Sequence, residues 1–205
     1  YYLGFGGTGD IVVSSPIAFS GDIYKYGSGK LTFSGDNTYT GYTYVYEGAL
    51  NVQHANALGD TSAETSVYLD GVFETEGGIT FAPEPLLMTC GGELWRNYGN
   101  NTFTGPVTIG EYGDGDVRID SVSGTLTLNS ATAINSWDYD DLYFGGAGDI
   151  VVSSPIAIYG DVIKDGTGTL TLSGNDTYAN AITAAQGELV LSGDWENTGT
   201  LSVTG

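Results

Sequence analysis

Apolar and polar residues alternate along many short stretches of the chain. In KLTFSG, Leu31 and Phe33 alternate with polar partners, and in TLTLSG, Leu170 and Leu172 do the same. A period of two places apolar side chains on one face and Thr and Ser on the other, which is typical of a β-strand. The 33 glycines and the many Thr, Val and Tyr residues favour short strands separated by tight turns. We therefore expect an all-β protein with almost no helix.

The strand-like phrases recur at intervals of roughly 20 residues, a length that suits one coil of a parallel β-solenoid. Segments start near Asp10, Lys30, Ala49, Val72, Glu93, Asp116, Asp149, Thr169 and Glu188. We predict roughly nine coils, and a rod about 40 to 50 Å long at the usual spacing between strands. Asp-Gly pairs at 70–71, 114–115 and 165–166 are typical of two-residue hairpins, so an antiparallel sandwich is the alternative.

Besides the interval of roughly 20 residues, the sequence contains a much longer repeat. The segment from Phe5 to Tyr39 aligns without a gap with the segment from Phe144 to Tyr178, at an offset of 139 residues. Self-similarity over such a long period is typical of stacked architectures, in which each element buries its apolar face against its neighbours. We predict one solenoid over residues 1–205, with an internal unit at 3–141 and a partial second copy at 142–205.

Two segments carry a resemblance to a known repeat: GSGKLTFSGDNTYTGYTYVYEGALNV and GTGTLTLSGNDTYANAITAAQGELVL. Both resemble the autotransporter-associated β-strand repeat, also called the passenger-associated transport repeat, with its Gly-rich start, LTLSG, Asn-Thr-Tyr-Thr-Gly corner and final Gly-x-Leu. The second copy departs from that pattern at Ala179-Asn180. The resemblance implies a right-handed parallel β-helix in a secreted or cell-surface bacterial protein with a structural or adhesive role, and it implies no enzyme activity.

The net charge of the chain limits the kinds of molecule that it can bind. The chain has 25 acidic residues against five basic ones, for a net charge of −20. This balance repels nucleic acid phosphates and anionic lipid headgroups, so we expect no nucleic acid partner. No apolar run is long enough to predict a membrane span, and no cofactor is expected. The single Cys90 cannot form an intramolecular disulfide; we predict a small buried side chain, with an intermolecular disulfide as the alternative.

The phrase GDNTYTG at Gly35–Gly41 returns as GNNTFTG at Gly99–Gly105 and as GNDTYAN at Gly174–Asn180. Asn and Asp tolerate left-handed backbone and form side-chain turns, so we predict a corner of the scaffold, with a ligand-binding loop as the alternative. Asn100 and Asn175 also satisfy the N-x-[ST] pattern for glycan attachment, which matters only in a host with the required machinery.

Two acidic stretches are candidates for calcium binding, because Ca²⁺ takes six to eight oxygen ligands. They contain Glu111, Asp114, Asp116 and Asp120 in the first and Asp138, Asp140 and Asp141 in the second. Their spacing fits neither an EF-hand loop nor a nonapeptide calcium repeat, and solvated turn carboxylates are the alternative, so we predict no metal site. The only histidine, His54, lies in a predicted turn, which gives little support to a hydrolytic triad.

Tyr42, Tyr44 and Tyr46 share one face of a period-two strand. If this tyrosine stripe faces outward, it could stack on sugar rings or contact a partner protein. The alternative is a ladder that packs over neighbouring coils. We assign Ile182, Ala184 and Gln186 to the corresponding places of the second copy, so the repeat itself does not require tyrosines.

The two ends of the chain repeat internal phrases. LGFGGTGDIVV from Leu3 resembles LYFGGAGDIVV from Leu142, and TGTLSVTG from Thr198 resembles SGTLTLNS from Ser123. The internal copies of these phrases lie between other coils, so the end phrases should also pack against a further coil. This predicts either covalent continuation or an end-to-end contact that propagates a filament. The predicted joint residues are Leu3, Phe5, Ile11, Val13, Leu201 and Val203.

These observations predict a mechanical function. We expect a secreted or surface-displayed structural β-solenoid that acts as a filament subunit or an adhesin segment and associates end to end. A glycan or a host or cell-surface protein is a further candidate partner. The alternative function is a β-helix that binds or cleaves carbohydrate with the tyrosine stripe and an acidic pair, since paired carboxylates hydrolyse glycosidic bonds.

Overall fold

The computed structural model describes residues 1–89, 94–110, 115–178, 180–193, 195–197 and 200–203. Throughout these residues the regular structure consists of strands, 23 in number, and every strand pairing is parallel. The chain coils about nine times, so the predicted parallel β-solenoid is confirmed and the antiparallel sandwich is wrong. The Asp-Gly pairs at 70–71 and 165–166 belong to this coil and form no hairpin; the pair at 114–115 begins outside the described residues.

The strands stack into three faces, which we call A, B and C in the order in which the chain visits them. Face A contains β1 (Tyr2–Phe5), β3 (Asp22–Lys25), the first part of β5 (Thr43–Val52), the first part of β6 (Thr65–Glu76), β7 (Leu86–Met88), β10 (Val107–Ile109), β13 (Ile134–Ser136), β16 (Ile156–Ala157), β19 (Asp176–Tyr178) and β22 (Trp195–Asn197). Face B contains β2 (Ile11–Val13), β4 (Leu31–Phe33), the second parts of β5 and β6, β8 (Leu94–Tyr98), β11 (Val117–Ser123), β14 (Leu142–Gly146), β17 (Val162–Lys164), β20 (Ile182–Ala184) and β23 (Leu201–Val203).

Face C begins with four irregular segments around residues 17–19, 37–40, 56–60 and 79–82, whose backbone groups bond to neighbouring coils. Regular strands then continue it: β9 (Asn101–Phe103), β12 (Thr125–Leu128), β15 (Asp149–Val152), β18 (Thr169–Leu172) and β21 (Glu188–Leu191). Because the strands of each face lie side by side, backbone hydrogen bonds run along the axis of the solenoid.

The core is built from columns of inward side chains that stack from one coil to the next. One column takes one residue from each of the ten strands of face B: Ile11, Leu31, Leu50, Phe73, Trp95, Ile119, Phe144, Lys164, Ala184 and Val203. Its members from Leu31 to Phe144 are completely buried. Trp95 packs edge-on against Phe73 and Phe103, at centroid distances of 5.4 and 5.0 Å. Stacking of equivalent positions thus converts the period-two pattern into a continuous column in which every member except Lys164 is apolar.

The repeated corner phrase bonds adjacent coils together. Asn37 is buried; its Oδ1 accepts the Ile17 N–H at 2.9 Å, and its Nδ2 donates to the Ala57 carbonyl at 2.6 Å. Asn101 occupies the same place in the second phrase, where its Oδ1 accepts the Ile79 N–H at 2.9 Å. These bonds satisfy buried backbone groups at the corner, so the prediction of a scaffold corner is confirmed for the first two phrases. The third phrase includes Ala179, which lies outside the described residues.

The two copies of the long repeat do not lie on the same faces. Strand β3 lies on face A, whereas its counterpart 139 residues later, β17, lies on face B. Likewise β4 lies on face B and its counterpart β18 on face C. Six coils along face A lead from β3 to β16, and one further face leads to β17. The repeat unit therefore makes six and one-third turns, and the second copy is rotated by a third of a turn about the axis.

Candidate functional site

Tyrosine side chains cover the outside of face A over its first four coils. We call this surface the tyrosine face; it consists of Tyr2, Tyr24, Tyr26, Tyr42, Tyr44, Tyr46 and Tyr68. The strands alternate inward and outward residues, so the buried Ile23 and Val45 place Tyr24, Tyr44 and Tyr46 on the outside. The sequence prediction that Tyr42, Tyr44 and Tyr46 share one face agrees with this arrangement.

The tyrosine rings stack on one another along the axis. Tyr26, Tyr46 and Tyr68 form a column with centroid distances of 5.5 and 4.7 Å and interplanar angles of 5° and 16°. Beside it, Tyr24 and Tyr44 lie 5.0 Å apart at 38°. The stripe is therefore both outward-facing and a ladder over neighbouring coils, which were the two alternatives that the sequence left open. Tyr26, Tyr42 and Tyr46 remain 38 to 48% exposed.

Carboxylates border the tyrosine face at both ends of its strands. At one end, the Asp22 carboxylate accepts the Tyr42 N–H at 3.0 Å. At the other end, Glu47 and Asp70 are exposed and in register with each other, next to Tyr46 and beyond Tyr68. Burial among the rings, followed by the charge of Asp22, raises the pKa of Tyr44 to about 12. The phenol of Tyr44 consequently stays neutral at physiological pH.

Sequence reasoning found three members of this surface and missed the rest. A signal was available, because Tyr24 and Tyr26 precede Tyr44 and Tyr46 by 20 residues, which is one coil. One assignment was wrong: Ile182 and Ala184 are buried in the core and do not correspond to the outward tyrosines. At the offset of 139, the counterparts of Tyr44 and Tyr46 are Thr183 and Ala185, which are at least partly exposed. The conclusion that the second copy lacks the stripe is unchanged.

All five basic side chains of the protein bond to its own oxygens. Lys25, buried at the inner end of β3, donates to the carbonyls of Tyr26, Gly27 and Glu47 at 3.3, 2.5 and 2.9 Å. Its counterpart Lys164 donates to the carbonyls of Gly166 and Gln186 at 2.5 and 3.0 Å. Burial lowers the pKa of both lysines.

The other three cations form ion pairs on face B. Lys30 Nζ lies 2.6 Å from the buried Glu74 carboxylate, and Arg96 lies 3.8 Å from its other oxygen. Arg118 bonds Asp120 at 2.9 Å and bonds both oxygens of Asp165 at 2.8 Å. These three side chains are 36 to 41% exposed and each is paired with a carboxylate of the same molecule, so the 20 acidic groups in excess dominate the field outside it.

The two acidic stretches lie next to each other, and their carboxylates bond to the backbone of neighbouring coils. The Asp116 carboxylate accepts the Asp141 N–H at 3.1 Å, and the Asp141 carboxylate accepts the Asp161 N–H at 2.7 Å. Burial, followed by the neighbouring carboxylates, raises the pKa of Asp141. Among the described residues, no group of three or more His, Cys, Asp or Glu side chains has an arrangement that could hold a metal ion. Glu111, Asp114 and Cys90 lie outside the described residues.

His54 has a place in a turn. Its Nδ1 accepts the Asn56 N–H at 3.2 Å and lies 4.0 Å from an Asp36 oxygen.

A shallow open groove of about 520 Å³ lies at the corner between faces C and A. It is lined by Asn129, Ser130, Ala131, Ser153, Pro155, Ser173, Gly174 and Asn175. None of these eight side chains is ionisable, so the groove offers no acid or base for hydrolysis.

The predicted joint residues divide between two faces. Leu3 and Phe5 lie on face A, whereas Ile11, Val13, Leu201 and Val203 lie on face B. Ile11 and Val203 stand at opposite ends of the ten-residue inward column described above. Leu201 and Val203 are 48% and 71% exposed, while Ile11 and Val13 are half-buried against the core.

Comparison with known proteins supports the resemblance found in the sequence. The family model described as Passenger-associated-transport-repeat matches residues 23–52 and 162–191, which confirms two copies of that repeat. Over 202 residues the chain is 29% identical to the adhesin BmaC autotransporter of Brucella suis biovar 1 (strain 1330). That alignment covers 98% of this chain but only 4% of that protein. No solved structure matches the chain. In its described part, no helix is of a length and apolarity suited to crossing a membrane.

Proposed function

We propose that this chain, a solenoid with two passenger-associated transport repeats, is a stiff segment of a bacterial surface protein that holds an adhesive part away from the cell. The observation that carries the proposal is the ten-residue inward column, which continues from the first coil to the last. Such a column, flanked by parallel ladders, resists bending because bending must open contacts between coils. The likeness to an autotransporter adhesin supports the surface location.

Antibody labelling tests the surface location. An antibody raised against the isolated 205-residue chain should label intact cells of the source bacterium, and brief protease treatment of those cells should remove the label. Antibody against a cytoplasmic protein serves as the control for cell integrity. Labelling that appears only after permeabilisation would overturn the proposal.

Continuation of the rod is the finer part of the proposal. Because the chain aligns with 4% of a much longer adhesin, we favour covalent continuation over assembly of separate subunits. A filament of separate chains remains the alternative. In a joint with faces in register, Ile11 continues the column that ends at Val203, and Leu3 and Phe5 lie over β22.

The intact mass of the protein isolated from the bacterium distinguishes the two forms, because a much larger mass than that of 205 residues supports covalent continuation. For the isolated chain, electron microscopy and sedimentation at high concentration test the filament. There Leu201→Lys should shorten any filament, since it places a charge in the terminal strand. Thr200→Lys, on the same strand entry, is the control for added charge. A strictly monomeric wild-type chain would dismiss the filament.

The carbohydrate function receives less support from the geometry. Sugar rings stack on open aromatic faces, yet the closest tyrosine rings, such as Tyr46 and Tyr68, cover one another's faces at 4.7 Å. The carboxylates of Asp116 and Asp141 are occupied by backbone N–H groups. A reducing-sugar assay with a glycan array decides this point, and turnover abolished by one Asp substitution would reverse our preference.

A further inference from the structure

We propose that the tyrosine face binds the arginine-bearing surface of a partner polypeptide. The inference goes beyond the role of a stiff surface segment and does not depend on it, because it concerns binding by the isolated chain. It rests on three observations: an exposed aromatic surface, carboxylates at both of its borders, and internal bonding of every cation. Exposed aromatic patches of this extent commonly mark interaction sites.

The aromatic area is prearranged. Tyr46 contacts the rings of Tyr24, Tyr26, Tyr44 and Tyr68 at centroid distances of 4.7 to 6.2 Å. Rings that already pack against one another on a rigid sheet lose little conformational entropy when a partner covers them. Tyrosine is also one of the residue types enriched in the energetic centres of protein interfaces.

The charges around this area select a cationic partner. Asp22 borders the face on one side, and Glu47 and Asp70 border it on the other. The basic residue on the same strand, Lys25, is buried and donates to three carbonyls, one of them that of Glu47, so its ammonium group is not exposed on the tyrosine face. A guanidinium group that lies on the outer rings reaches a border carboxylate and so gains a cation–π contact and an ion pair together.

Arginine fits this surface better than lysine or a neutral sugar does. A guanidinium is planar and weakly hydrated, so it can lie on an outer ring such as Tyr42, which is 48% exposed and stacks on Tyr44 at 5.9 Å, where an ammonium keeps its water. A neutral sugar gains nothing from the net charge of the borders and finds the column of Tyr26, Tyr46 and Tyr68 closed by stacking.

Titration calorimetry at physiological salt tests the proposal with an oligo-arginine peptide, an oligo-lysine peptide of equal length and a cello-oligosaccharide. The combined variant Tyr44→Ser, Tyr46→Ser, Tyr68→Ser should lose at least tenfold in affinity for oligo-arginine. The matched control, Tyr139→Ser with Tyr159→Ser, removes an exposed aromatic pair from the segments that follow β13 and β16 without changing charge, and should stay within twofold of wild type. Oligo-lysine should bind the wild type several-fold more weakly and respond little to the triple variant.

A second pair of variants keeps the test decisive if the triple variant folds poorly. Glu47→Gln with Asp70→Asn should weaken oligo-arginine several-fold more than Asp36→Asn with Asp138→Asn, which removes two exposed charges elsewhere. Equal loss in both pairs, or an undiminished affinity in a folded triple variant, would mean attraction to the net charge alone and would overturn the proposal. Tyrosine-dependent binding of the cello-oligosaccharide without that of oligo-arginine would overturn it in favour of a glycan site.

Discussion

The two copies of the repeat share their internal bonds and differ in their outer surface. The Asp22 carboxylate accepts the Tyr42 N–H at 3.0 Å, and 139 residues later the Asp161 carboxylate accepts the Ala181 N–H at the same distance. Asp10 and Asp149 accept the N–H groups of Lys30 and Thr169 in the same way. The repeat therefore specifies how one coil bonds to the next, wherever on the solenoid that coil lies.

The outer surfaces of the copies follow no such rule. The first copy carries the tyrosine face, whereas the second has Thr183 and Ala185 in the outward places of Tyr44 and Tyr46. Because outward side chains take no part in the backbone ladders or in the inward columns, they can vary with a smaller loss of stability than inward ones. The bonds that the two copies share thus lie at the corners and inside the rod, and the copies differ in the side chains that they present to solvent.

Substitution of the corner glycines should have the largest effect and should be equal in the two copies. Gly48 and Gly187 have φ angles of 70° and 73°, and an added Cβ would lie 2.6 and 2.5 Å from the carbonyl oxygens of Gly27 and Gly166. Alanine at either place should lower the free energy of unfolding by about 3 kcal/mol or more, from backbone strain and overlap. Denaturant titration measures this loss. Gly9→Ala, where nothing lies within 4 Å of the new Cβ, is the control and should change little.

Removal of the buried lysines comes next in size. Lys25→Met and Lys164→Met each leave inward carbonyls without their donor, at a cost of about 2 to 3 kcal/mol in the free energy of unfolding. Urea titration of both variants should give similar losses, although the residues lie on different faces. Arg96→Met, whose side chain is 41% exposed and lies 3.8 Å from a Glu74 oxygen that keeps Lys30 as its close partner, should cost less than about 1 kcal/mol. If only one of the two substitutions lowered the free energy of unfolding, the two lysines would not have the same structural role in the two copies.

A pH response should arise in the coils between the two matched segments. Burial raises the pKa of Glu84 from 4.5 to about 8, and Thr65 donates to this carboxyl group at 3.2 Å. The folded state binds more protons than the unfolded state between these values, so stability should fall as the pH rises from about 5 to about 8. Glu84→Gln should remove this decline and stabilise the protein by a few kcal/mol at pH 9. Thermal melts across this range check it; an unchanged slope would contradict it.

The smallest expected effect separates the tyrosine face from ordinary surface tyrosines. Tyr46→Ser removes contacts with four rings and should cost about 1 kcal/mol, whereas Tyr139→Ser removes one tilted contact at 5.9 Å and should cost less than about 0.5 kcal/mol. Careful paired denaturation curves resolve this difference. Equal costs would show that the ladder adds nothing to stability.

Much of the fold was predictable, because alternation and coil length follow directly from the inward columns. The rotation between copies was not, since aligned phrases such as LTF at 31–33 and LTL at 170–172 look equivalent and yet lie on different faces. As a result, the nine predicted coil starts do not mark one face of the solenoid. Those up to Asp116 lie on face B, and those from Asp149 onward lie on face C. The tyrosine face was partly predictable, because outward alternation shows in one strand. The contribution of Tyr26 and Tyr68 depends on the register between coils, which one strand does not contain.

The third-turn rotation has a mechanical consequence. Coils in this molecule differ in length: Thr65 pairs with Leu86, but Thr108 pairs with Asn135 across a longer excursion. If each unit made a whole number of turns, the longer connections of all units in such a chain would lie on the same side of the solenoid. The small distortions that they cause would then add up and bend the rod. With a third of a turn per unit, the excursions spread evenly around the axis and their distortions cancel over three units. A long chain of such units can therefore be straight even though no single coil is symmetric.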